Sequence, residues 1–536
     1  MRSRLVVGGM VFFVVGLVLC LFLFGPSLAA GLNSAGEVPA IAPPTATSGP
    51  ATNPIVLENA RPGTDSWQIP AGREATTQIQ AYADATSVSP GKKLTFYVST
   101  QQAATPYTID IYRLGWYAGT GARLMTQVQG QVGQAQGYYN AITRGLVACS
   151  SCLSDPLTGL LEARWQPSYA LAIPSDWTTG IYLAKFSDSR GWQTYVPFNV
   201  LGNFNSLYVA VTPDTTYAAY NDWGGTSLYV SNITTLSQAG EKPKGTKVSF
   251  DRPYADEAGS SQVLVFELPV IRWMERQGYD LSYVSDLDLQ QDTEQLLRHK
   301  AYLSLGHDEY WTKEMRDGVE KARDRGVGLA FLGANTAYWQ IRFEPSSKGV
   351  ANRTVVCYKV ESDKKDLQRD PFFGVDNTRV TSQWRDPVVN RPENALAGIM
   401  YSDLTHKRLG FPWKAAQPDP MLFKDTGLVA NQEYGCGLVG YEWDRVFDNG
   451  ATPKGLRIIG TSPIKNDTDV NDVSHTSYYI ASSGAMVFAT GSIYWTTALD
   501  TYRLHEDKTC GSKNTAVPAL QALMTNVMAS LVVSHH

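Results

Sequence analysis

The stretch Ala301–Trp339 constrains the fold more tightly than any other part of the chain. It reads as an apolar strand, Tyr302–Leu305, followed by the loop Gly306-His307-Asp308-Glu309-Tyr310-Trp311. A helix begins at Thr312, and a second apolar strand, Val327–Leu332, leads into Gly333-Ala334-Asn335-Thr336-Ala337-Tyr338-Trp339. A helix between two neighbouring strands predicts a parallel pair joined by a crossover. Parallel strands end on one edge, and ligands bind at the carboxyl edge of open α/β sheets. Both loops are dense in polar and aromatic side chains, which makes them a site candidate. Alternation along the extended chain sends His307 and Glu309 to one side and Asp308 to the other. Thr312 has the character of an N-cap, and Met315, Val319 and Ala322 recur at helical spacing as the buried face.

The same grammar surrounds this stretch. Ser206–Thr212 and Tyr279–Val284 are expected strands, and Val265–Gly278 is an expected helix with Leu268, Ile271 and Met274 on one face. Asp292–His299 is a further expected helix; later come strands at Leu456–Gly460 and Ala485–Thr490 and a closing helix near Val517–Val532. Arg342–Pro453 is long, polar and broken by proline, and reads as insertion loops over the sheet edge. Before Asn205 the pattern differs. Short alternating strands are expected at Thr77–Ala83, Lys93–Thr100, Tyr107–Leu114, Arg123–Val132, Tyr169–Ile173, Gly180–Phe186 and Thr194–Val200, with Tyr138–Gln166 as an insertion. The fold class expected is therefore multidomain: an N-terminal immunoglobulin-like β-sandwich over 63–203, then an α/β domain over 204–536 with a mostly parallel sheet of amidotransferase or flavodoxin-like type.

The N-terminus bears on compartment. Arg2 and Arg4 precede the uncharged run Leu5–Phe24, long enough to span a bilayer. Residues 1–30 read as a membrane anchor, with a cleaved signal peptide as the alternative because Ser27-Leu28-Ala29 is an acceptable cleavage site. Either reading exports the remainder, to the cell surface or the medium. Residues 31–62, rich in Pro, Ala and Thr, read as a disordered linker. Cys149-Ser150-Ser151-Cys152 suits a local disulfide, with a redox pair as the alternative; Cys357, Cys436 and Cys510 are an odd set, so at least one thiol is free. A net charge of −4 without a recurring Lys/Arg block excludes nucleic acid as a partner.

Several chemistries fail on the residues. No HExxH or GxSxG is present, and no cysteine stands at the strand-to-helix turn of Gly306–Glu309. The first strand ends in a third polar and aromatic loop, Thr212–Tyr229. What remains is a hard oxygen set, Glu309 with tyrosines of that loop, suited to a hard cation, above all ferric iron.

The motifs Ala219-Tyr220-Asn221, Trp223-Gly224-Gly225-Thr226-Ser227-Leu228-Tyr229, Gly306–Trp311, Gly333-Ala334-Asn335 with Tyr338-Trp339, and Gly440-Tyr441-Glu442 together resemble the N,N-dimethylformamidase large (β) subunit-like family, over roughly Ser206–Val532. The resemblance implies a mononuclear iron held by two Tyr and one Glu, serving amide hydrolysis. Glu309 matches the carboxylate ligand and Tyr229 one phenolate. The second falls within Tyr217-x-x-Tyr220, and Tyr220 is taken because the spacing to Tyr229 is shorter here than in the amidase. His307 and Asn335 match positions beside metal or substrate, and Glu442 matches the candidate general base. The expected function is an exported iron-dependent hydrolase of a C–N bond; the alternative is a non-catalytic cell-surface protein that binds carbohydrate. The implied partners are a small amide or glycan-like substrate and the membrane through the N-terminal segment, with a homo-oligomer left open.

Overall fold

Short strands with every residue buried form the centre of the computed structural model. Its described residues are 53–202, 205–237, 242–361, 364–504, 510 and 515–535. The central sheet has seven strands: β1 (Tyr208–Thr212), β2 (Leu281–Ser285), β3 (Ala301–Leu305), β4 (Gly328–Leu332), β5 (Arg457–Lys465), β6 (Asn471–Ile480) and β7 (Met486–Ala489). Their order is β2-β1-β3-β4-β7-β6-β5. The pairs from β2 to β7 are parallel, and β6 and β5 add on antiparallel.

Strands buried on both faces must be covered twice. Val209, Val211, Tyr302 and Phe331 point to the face covered by helix α3 (Lys313–Asp324) through Met315, Val319 and Ala322. Ala210, Leu303 and Leu332 point to the other, against α2 (Leu268–Arg276) and α4 (Pro518–Leu531). Each fully buried aliphatic side chain there contributes about 1.5–3 kcal/mol. Thr312 caps α3, its hydroxyl accepting from Met315 N at 3.1 Å, as the sequence led one to expect.

All seven strands expected before Asn205 are present within two residues of their expected ends. With the short strand Ser87–Val88 they form a three-stranded and a five-stranded sheet. Phe96 and Val98 of one and Ile109, Phe186 and Phe198 of the other share one core between the sheets. The strand-rich and α/β parts belong to one unit of contacts, Ala42–His536.

Two expectations need correction. Arg342–Pro453 is not a set of loops: it takes in the end of the strand Trp339–Glu344 and the strands Thr354–Val356, Met400–Leu404, Gly410–Lys414, Glu433–Gly440 and Glu442–Arg445. Their short lengths and interrupting prolines hid the alternation. Asp286 and Asp288, which follow β2, open a helix, Asp286–Gln291, capped by Ser285. Packed structure also begins before Gly63, since Pro54–Asn59 is a helix with Ile55 and Glu58 buried. The expected anchor or signal at 1–30, and the linker up to residue 52, lie outside the described residues. Among the described residues no helix is long and apolar enough to cross a membrane.

Disulfides join Cys149 to Cys152 and Cys436 to Cys510, and Cys357 is free and buried. The second bridge spans 74 residues. Cys436→Ser is expected to lower the unfolding free energy by about 2–4 kcal/mol through the chain entropy released in the unfolded state. Urea titration checks this, and no change in midpoint would contradict it.

Candidate metal and acid–base site

The parallel register brings the ends of β1, β3 and β4 to one edge. After β1 the chain turns into α1 (Asp214–Tyr220), not the loop expected, and Tyr220 is the last residue of that helix. The following turn folds back, Leu228 N donating to Ala219 O at 3.1 Å, which sets Tyr229 beside Tyr220. The buried Arg252 holds this turn through the carbonyls of Asn221, Trp223 and Thr226 at 2.8–2.9 Å. Trp223 anchors it from outside, packing against Trp165 and Tyr139 and donating to Gln80 Oε1 at 2.9 Å. The insertion in the strand-rich part therefore buttresses the site loop.

After β3 the chain leaves the sheet at Gly306, whose φ of 58° favours glycine. A side chain there would also meet Glu267 Oε1 at 2.3 Å. His307 and Glu309 then turn to one side. Asp308 turns to the other and accepts from Ser304 Oγ at 2.7 Å and Trp311 Nε1 at 2.6 Å, a structural role. After β4, Asn335 adopts φ 57°, with its N donating to Asp444 Oδ1 at 2.7 Å. Glu442 comes from the strand Glu442–Arg445, held to the segment after β7 by Ile493 N donating to Glu442 O at 3.3 Å.

The six candidate residues converge. Tyr220 Oη donates to Glu309 Oε2 at 2.8 Å, and Tyr229 Oη lies 3.0 and 3.1 Å from the two Glu309 oxygens. The two rings stack at 4.2 Å. His307 Nε2 stands 3.3 Å from Glu309 and 3.3 Å from Glu442, at ion-pair distance rather than in aligned hydrogen bonds. Asn335 Nδ2 donates to Glu442 Oε2 at 3.1 Å. Tyr217, the rejected alternative, points elsewhere: its ring meets Tyr254 at 6.3 Å.

The electrostatics follow from burial. Burial, then the Glu309 charge, holds both phenols well above the ordinary tyrosine range, so each is a proton donor. Burial opposes a charged His307, yet Glu442 and Glu309 overcome it and raise the imidazole to about 10. Burial likewise opposes an ionised Glu309, and His307 reverses it, leaving the carboxyl below its usual range.

Among the described residues no group of three or more His, Cys, Asp or Glu is placed to hold a metal ion. The oxygen set differs in kind, two phenols and one carboxylate. Its three side chains already meet within hydrogen-bond distance, which suits a hard cation replacing the two phenolic protons.

Two neighbours went unread in the sequence. Tyr310 Oη donates to Tyr229 Oη at 2.5 Å. Lys359, from the stretch expected to be loops, places Nζ 3.4 Å from the centroid of the Tyr229 ring. Tyr310 stood inside the motif, but nothing in residue spacing connects Lys359 to it.

The model of the family N,N-dimethylformamidase beta subunit-like, C-terminal, matches residues 108–511. The chain belongs to this family. The dimethylformamidase-like match reaches into the strand-rich part, well before Ser206 where the motif resemblance begins. The chain is 21% identical over 406 residues to the N,N-dimethylformamidase beta subunit of Paracoccus aminophilus, covering 62% of this chain and 51% of the relative. The beta subunit of the same name from Alcaligenes sp gives the same identity and coverage. The chain thus spans about half the length of the curated relatives it matches. A solved cycloisomaltooligosaccharide glucanotransferase of Paenibacillus sp. aligns at 11% identity and a TM-score of 0.14, over 54% of this chain and 35% of that one. That likeness carries no argument.

Proposed function

We propose that this chain is an exported, iron-dependent hydrolase of a C–N amide bond. The observation that carries the reading is the meeting of Tyr220, Tyr229 and Glu309 oxygens beside the His307–Glu442–Asn335 group. The name of the curated relatives supports it. Tyr220, Tyr229 and Glu309 would hold a single ferric ion, and what such an ion supplies is Lewis acidity toward a carbonyl or water oxygen.

The chain's own groups divide the proton work. Glu442 Oε2, fixed by Asn335 Nδ2, takes a proton from the attacking water. His307, protonated between two carboxylates, gives one to the departing amine at Nε2. Asn335 Oδ1 is buried with no hydrogen-bond partner and accepts from the amide N–H of the substrate. Export rests on Leu5–Phe24. The finer fold reading stands beside it. The two facing, mainly antiparallel sheets support an immunoglobulin-like sandwich. The order β2-β1-β3-β4-β7 supports a flavodoxin-like sheet whose fifth place is filled by a later strand.

Iron-loaded protein is expected to release amine from a panel of small amides. Glu442→Gln is expected to lower kcat about 100-fold with iron content unchanged. Binding to a glycan array with no turnover of any amide would overturn this reading in favour of a carbohydrate-binding surface protein.

A further inference from the structure

A cavity of about 330 Å³ adjoins the oxygen cluster on the side of Tyr229. It lies at the lower end of the range for small-molecule sites, roughly 300–1,000 Å³. Leu228, Tyr229 and Trp339 give it an apolar wall, and Lys242, Lys244 and Lys359 face it against the single carboxylate of Glu361. Three cations to one anion is a strong bias in a chain whose net charge is −4.

Lys359 is the least expected of these residues. It is only 7% exposed. Its backbone adopts φ 49°, in the left-handed region that side-chain-bearing residues rarely enter. The contacts that hold its ammonium are ring faces: Tyr229 at 3.4 Å, Trp339 at 5.0 Å and Tyr310 at 5.2 Å. Ring faces hold the charge in place without consuming its hydrogen-bond donors. An ammonium kept this way, at the floor of a cation-rich cavity, is prepared for an incoming oxyanion.

We propose that this cavity receives an anionic group of the substrate, so that the preferred amide carries a carboxylate separated from its C–N bond by a short apolar spacer. Leu228 and Trp339 cover the spacer, Lys359 pairs with the carboxylate from below, and Lys242 and Lys244 close round it at the rim. The inference rests on reading the oxygen cluster as an amide-hydrolysing centre.

The test uses iron-loaded protein with N-acetylglycine and its neutral counterpart N-acetylglycinamide, by calorimetry and by turnover. N-acetylglycine is expected to bind about 10-fold more tightly. Lys359→Met and the exposed-rim variant Lys242→Glu, which leaves the core untouched, are each expected to remove most of that difference. Equal binding of the two amides to the wild-type protein, or a preference that survives both variants, would overturn the proposal. Charge-dependent binding with no amide turned over would refute the hydrolytic centre and leave the anion cavity standing. Turnover of amides without charge preference would refute the cavity alone. Competition by inorganic phosphate as effective as that of N-acetylglycine would overturn the spacer and carboxylate in favour of a general anion site.

Discussion

Tyr229→Phe and Glu309→Ala are each expected to reduce the iron retained by purified protein from about one atom per chain to near zero, with an unchanged far-ultraviolet circular dichroism spectrum. Both Tyr oxygens lie within 3.1 Å of the Glu309 carboxylate, so each substitution deletes one of three converging donors. Tyr229→Phe removes one oxygen and preserves the ring that stacks on Tyr220 at 4.2 Å. Glu309→Ala removes the acceptor shared by the two phenols, at a local cost of about 1–3 kcal/mol for each buried donor left unpaired. The fold survives that cost because the site sits at the edge of the sheet, outside its apolar core. The visible charge-transfer absorption of phenolate on ferric iron should disappear with the metal. Tyr217→Phe is the control, since Tyr217 turns toward Tyr254, and it should retain iron. Elemental analysis decides: wild-type protein that is colourless and metal-free after iron loading refutes the iron reading. Unchanged iron in both variants refutes the ligand assignment.

Glu275→Ala should destabilise the protein by about 3–5 kcal/mol. Glu275, on α2, accepts from Arg113 Nη1 and Nη2 at 2.8 Å each, from Asn59 Nδ2 at 2.7 Å and from Tyr283 Oη at 2.9 Å. Both members of the ion pair are fully buried. Arg113 belongs to the strand Pro106–Leu114 of the five-stranded sheet, so the pair fastens the strand-rich part to the α/β part. Removing the carboxylate leaves a guanidinium buried without its counter-charge, which is the costly half of breaking a buried pair. Arg113 retains bonds to Thr179 O and Leu114 O, which limits the loss. Chemical denaturation measures it, and a change below about 1 kcal/mol, the size of an exposed pair, would contradict the argument.

Much of the scaffold was legible because its signals are local. The apolar runs at β3 and β4, the helix between them and the cap at Thr312 depend on residues a few positions apart, and these elements form where expected. Alternation also separated His307 and Glu309 from Asp308 correctly. Helix α1 gave no such signal and reads in the sequence as loop, because it is short and carries threonines. Residues 342–453 failed as a reading for a related reason. Their strands are three to eight residues long and most of their pairing partners lie tens of residues away, so few windows of sequence contain a whole period and its partner.

The sequence by itself determined the parallel strand–helix–strand frame and the polar, aromatic loops at its carboxyl edge. Those follow from periodicity and side-chain chemistry, which act over one or two turns of chain. Only the tertiary structure decided which groups meet. Glu442 arrives from a strand 133 positions after Glu309 to share His307 with it, Arg252 ties down the tyrosine turn, and Lys359 reaches the far face of Tyr229 from a segment that looked like loop. Such meetings depend on how distant strands pair and how sheets stack, and chain-distant packing leaves no periodic mark in the residues that take part in it.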